Sequence, residues 1–165
     1  MDLARGATPA MLTEQMRNVL TEKLSDRTAA ELELQIDECL KFLTITSVMQ
    51  ENFFPLSKEV DEVWHELISE TGEYQRLCDR LPGRRFLHHS AITLAEYAQQ
   101  RDTSTVVKQL LDWIPNYVHY FGDYTEESAR HWTICEFLRN ELGLSLDEIN
   151  QIGRNSARSI AAEVS

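Results

Sequence analysis

The sequence predicts an all-α protein, a single compact bundle of about six or seven helices within one domain spanning residues 1–165. Three observations carry that expectation. Apolar residues recur at spacings of three and four along most of the chain, helix-capping motifs stand where those stripes begin, and no alternating run of strand length is convincing. At 42% hydrophobic and 26% charged the composition is that of a globular chain. A chain of this length buries roughly 70% of its unfolded surface without needing metal or disulfide staples.

The elements follow in order. Thr8-Pro9 offers a cap with proline at the first helical position, followed by the stripe Leu12, Met16, Val19 and Leu20. Thr28-Ala29-Ala30-Glu31 is a capping box, in which hydroxyl and carboxylate satisfy each other's free amides. It leads Leu32, Ile36, Cys39, Leu40 and Leu43. The pattern breaks around Asn52-Phe53-Phe54-Pro55, and Ser57 caps a helix with Val60, Val63, Trp64, Leu67 and Ile68 inward. Tyr74, Leu77, Cys78 and Leu81 prolong that stripe to Pro82-Gly83, with Gly72 as its weak point. Further helices are expected over Leu94 to Gln100 and from Thr105 to Trp113, the latter ending before Pro115. Thr125-Glu126-Glu127 begins another, carrying Trp132, Cys135, Phe137 and Leu138 and closed by Gly143. Ser145-Leu146-Asp147-Glu148 is a second capping box, heading a last helix through Ile149, Ile152 and Ile160.

With 27 acidic against 16 basic residues the formal charge is -11. That excess argues against nucleic acid, whose affinity comes from cations neutralising phosphates, and against anionic membrane surfaces. Three widely spaced cysteines, Cys39, Cys78 and Cys135, do not form a disulfide framework. With no signal-like or membrane-spanning run, the expected location is cytoplasmic. Walker, dinucleotide, G-x-S-x-G and HExxH patterns are absent.

The chemistry-bearing residues concentrate between positions 65 and 89. His65, Cys78, His88 and His89 follow the spacing H-x12-C-x9-H-H. Imidazole and thiolate are ligands of zinc and related divalent transition metals, and a catalytic site needs about three of them plus an open position. On one continuous helix Cys78 falls in the centre of the apolar stripe, about 140° from His65, and joins it only if the helix breaks near Gly72. Asp61, four residues before His65, shares its face and is placed to hold one ring nitrogen. Asp61 and His65 are also the candidates for metal-free acid–base catalysis. His88 and His89 are adjacent, so in an extended stretch they point to opposite sides. A third use of the cluster is as the internal scaffold of a metal-free helical interaction module.

These residues carry a resemblance. Val60-Asp61-Glu62-Val63-Trp64-His65, then Tyr74, Cys78, Gly83 and Leu87-His88-His89, is similar to the core motif of the glycine-rich domain-containing protein-like family. The likeness covers residues 56–90. It implies that Asp61, Trp64, His65, Cys78, His88 and His89 act as one unit, and it implies no particular reaction. Two features depart from that family: Leu67 stands where many members carry a second histidine, and there is no glycine-rich tail.

Arg80, Arg84 and Arg85 form a basic island before the histidines, and Arg84 and Arg85 are the candidates for gripping an anionic small-molecule substrate. The segment 113–124 holds five of the fourteen aromatic residues, for packing between helices or for a protein partner. His131 and Cys135, four apart, could clip a metal but suit a core position equally.

Overall fold

The computed structural model describes residues 12–49, 55–89, 96, 99 and 102–164. Among these the protein is all-α. Eight helices run α1 (Glu14–Lys23), α2 (Ala29–Val48), α3 (Lys58–Ser69), α4 (Thr71–Arg80), α5 (Thr103–Phe121), α6 (Glu126–Ala129), α7 (Thr133–Glu141) and α8 (Leu146–Val164). The β pairing found among the described residues is one isolated bridge, Leu56 with Trp132. No described helix is long and apolar enough to cross a membrane.

The helices group into two compact units, α1 to α4 in the first and α5 to α8, with Pro55 and Leu56, in the second. In the first unit α2 is the central element. Its expected stripe is buried, and so are Gln35, Glu38, Phe42, Thr44, Ile45, Thr46 and Ser47, so the helix is enclosed on almost every side. Thr28 and Glu31 form the expected reciprocal cap. Helix α1 begins after Thr13, whose hydroxyl accepts from the Met16 amide. The Thr8-Pro9 cap lies outside the described residues, as does all but Glu96 and Gln99 of the helix expected over Leu94 to Gln100.

The stripe from Val60 to Leu81 is buried as expected but is carried by two helices, with the break at Glu70, two residues before Gly72. At the far end Gly83 lies against the end of α2. A Cβ there would stand 1.7 Å from the Ser47 carbonyl oxygen, and the Gly83 amide donates to Ser47 Oγ at 3.1 Å. Only glycine permits that approach.

The second unit departs from the sequence expectation twice. Helix α5 does not end before Pro115 but runs through it to Phe121. Trp113, Ile114, Tyr117 and Val118 are buried around the proline, and the long packing of α5 on α8 offsets the missing amide bond. Gly153 lets α8 approach, since a Cβ there would meet Val118 Cγ2 at 2.4 Å. Second, the helix expected from Thr125 is divided into α6 and α7. Trp132 adopts extended backbone between them to pair with Leu56, and the Thr133 amide donates to the Pro55 carbonyl. The Ser145 and Glu148 capping box forms as expected.

Candidate metal centre

Asp61 and His65 stand one turn apart on α3. The carboxylate Oδ2 lies 3.3 Å from the imidazole Nε2, with the side chains 36% and 57% exposed. Asp61 occupies the first turn, where a negative charge is favoured by the free amides and the helix dipole. The opposite face of the helix holds it in place. Trp64 is fully buried, its ring edge-on to Phe42 at 5.1 Å. Arg27, with a side chain only 7% exposed, ties the start of α3 down by donating to the Glu59 carbonyl and the Glu62 carboxylate while also donating to Gln35. His65 is therefore presented outward from a rigid support.

His88 closes the first unit and His89 belongs to the second. Within the first unit Asp61 and His65 each offer a ligand atom on the same helix face. Three donors on a tetrahedron with bonds of about 2.0–2.1 Å are separated by roughly 3.3–3.4 Å. The Asp61–His65 separation equals such an edge, and both side chains are partly exposed. An imidazole and a carboxylate on one helix turn are donors of the kind used for divalent transition metals with open positions.

The other expected ligands lie elsewhere. His88 is exposed and its ring packs on Phe86, centroids 4.8 Å apart. Cys78 is fully buried, whereas Asp61 and His65 are partly exposed, even though the helix does break before Gly72. It sits instead beside the Tyr74 hydroxyl. That hydroxyl accepts a hydrogen bond from the Trp64 indole at 3.0 Å and donates to the Leu87 carbonyl at 2.5 Å. Burial pushes the Tyr74 phenol far above its usual range, so it remains a donor at neutral pH. Burial, reinforced by the Asp61 charge, likewise pushes the Cys39 thiol far up, and it stays neutral.

The arginines expected to grip an anion have a different employment in one case. The Arg85 guanidinium donates to the carbonyls of Thr46 at 2.6 Å, Met49 at 2.7 Å and Ser47 at 3.2 Å. Helix α2 has no basic residue in its last turn, and Arg85 supplies the donors its terminal carbonyls lack. Arg84 is exposed with left-handed backbone, φ 46°. In the second unit Trp113, Tyr117 and Tyr124 are buried, with Tyr120 and Phe121 intermediate, so the aromatic segment is chiefly core. Cys135 and His131 are buried there as well.

The sequence expectation that Asp61 shares a helix face with His65 and stands within reach of its ring is met, at 3.3 Å. Sequence reasoning missed Tyr74 as a hydrogen-bonding hub and Arg85 as a helix cap. The signal for Tyr74 was its polar tip within an apolar stripe; nothing in the sequence marked Arg85.

No curated protein and no solved structure matches the chain. The resemblance to the glycine-rich domain-containing protein-like family is corrected by the family comparison, which matches residues 7–116 to a different and uncharacterised family, described as UCP032817-like. Trp64, Tyr74, Cys78 and Gly83, which carried much of that resemblance, form the packing set of α2, α3 and α4, and a likeness in packing residues does not fix a family. With two thirds of its length matched, the chain belongs to the UCP032817-like family.

Proposed function

We propose that the protein binds one divalent transition metal, zinc or a close relative, at the Asp61–His65 pair of α3. The observation that carries this reading is the 3.3 Å approach of Asp61 Oδ2 to His65 Nε2 on one exposed helix face. Exposure of His65 leaves a face of the site open to solvent, so water or a small molecule can complete the coordination. A metal so placed would polarise a substrate or lower the pKa of bound water toward neutrality. Arg85, committed to the end of α2, has no part in this reading.

Metal analysis of untagged protein purified without chelator tests it. One metal per chain is expected in the wild type, with affinity falling at least about 10-fold in His65→Ala. Sub-stoichiometric metal together with unchanged binding by His65→Ala would refute it. The 3.3 Å Asp61–His65 contact also favours a second reading, a metal-free acid–base pair. Any activity that survives exhaustive chelation and is lost in Asp61→Asn belongs to that second reading.

A further inference from the structure

Around α7 the charges are not matched where the helix would match them. Glu136, Arg139 and Asn140 stand three and four residues apart and share one face of α7. Glu136 and Arg139 have the spacing to pair along that face, but the Arg139 guanidinium turns to Glu126 on α6 instead. It donates to the two carboxylate oxygens of Glu126 at 2.8 and 3.4 Å. Arg130, the C-terminal cap of α6, comes from the other side. These side chains, with buried Ala129, line a cleft of about 370 Å³ that lies within the second unit alone. Arg130, Glu136 and Asn140 are exposed, and their side chains make no hydrogen bond or ion pair among the described residues. Arg139 is offset by Glu126, so Arg130 and Glu136 remain as the uncompensated charges of the cleft.

An exposed charge alone says little, because water serves it well. Opposite charges that line one cleft without pairing are complementary to a solute carrying both signs. We propose that the α6–α7 cleft binds a small zwitterion of the amino-acid class, its carboxylate on Arg130 with the Asn140 amide as a further donor, and its ammonium on Glu136. A guanidinium matches the planar carboxylate with two parallel donors, and a carboxylate accepts from the compact ammonium. Each contact is weak in water, but joined in one molecule the second forms intramolecularly and reinforces the first. A lone anion is repelled by Glu136 and a lone cation by Arg130, so the cleft selects against both. The proposal is independent of the metal reading, which concerns the other unit.

The test titrates glycine, γ-aminobutyrate and 6-aminohexanoate, which space their charges differently, against butyrate and butylamine as single-charge halves. Low ionic strength keeps the exposed charges unscreened. Binding is read from the nitrogen-15 signals of the arginine Nε–H and asparagine amide groups. The best zwitterion is expected to bind about 10-fold more tightly than either half and to shift the Arg130 and Asn140 signals. Glu136→Gln is expected to weaken zwitterion binding and strengthen butyrate binding; Arg130→Gln is expected to weaken zwitterion binding and strengthen butylamine binding. These opposite gains cannot come from a variant that has merely unfolded. Lys108→Gln removes an exposed cation of the same unit and is expected to change nothing. The proposal would be overturned by zwitterions that cause no saturable shift or bind no better than their halves, by an absence of the opposite gains, or by an equal change in Lys108→Gln.

Discussion

The two units use their aromatic residues in different ways. In the second, Tyr117 stacks on Tyr124 at 3.8 Å and 9°, and Trp132 meets both rings edge-on at 5.3 and 6.0 Å. Asn150 closes that cluster from α8, accepting from the Tyr124 amide and donating to its carbonyl. In the first unit Trp64 and Tyr74 are joined through a hydroxyl whose remaining bond reaches out to a backbone carbonyl. Ring stacking is apolar bulk with tolerant geometry and contributes mainly stability. A chain of directed hydrogen bonds specifies position, and its loss is felt where the positioned segment ends.

The contrast can be broken at several points. Trp132→Ala has the largest expected effect, about 4 kcal/mol of stability lost from the second unit, with metal affinity unchanged in the folded protein. Denaturant unfolding and a metal titration on the same sample check it, and an affinity loss would mean that the cluster does more than pack. Next comes a matched pair of glycine substitutions. Gly83→Ala is expected to cost about 3 kcal/mol, because the obstacle is the backbone carbonyl of Ser47. Gly153→Ala should cost about 1 kcal/mol, because the obstacle is a valine methyl and alanine favours the helix by a comparable amount. Equal losses in the two would show that the α2 contact gives as easily as a side chain.

The smallest effect is a pH dependence at the start of α5. Asp102 caps that helix by accepting from the Thr105 amide at 2.7 Å and the Ser104 hydroxyl at 2.8 Å, which holds its carboxyl below the usual 3.8. A depressed folded value means the contribution is complete above 3.8 and is lost as pH falls through the lower folded value. Asp102→Asn should therefore flatten the acid limb of the stability profile slightly and leave the neutral range nearly unchanged. An unaltered acid limb would show that the cap does not report on stability.

Legibility in the sequence followed the range of the interactions. The Thr28 and Ser145 capping boxes and the Val60 to Leu81 stripe could be read because their partners lie three or four residues apart. Pro115 and Trp132 misled because distant packing overrode a local rule, continuing one helix and interrupting another. Glu38, buried on a central helix and ion-paired to Lys41 at 3.0 Å, looks like a surface residue in sequence. At the candidate centre the Asp61–His65 pair was readable as a helix spacing. The Tyr74 hydroxyl bond to the Leu87 carbonyl was not, because its partners lie thirteen residues apart.

X-ray absorption at the metal edge of zinc-loaded protein tests the central claim most directly. The account predicts a first shell of nitrogen and oxygen at about 2.0–2.1 Å, with imidazole multiple scattering that weakens in His65→Ala. A sulfur shell near about 2.3 Å, drawing Cys78 or Cys39 into the site, or a shell without imidazole scattering, would contradict it.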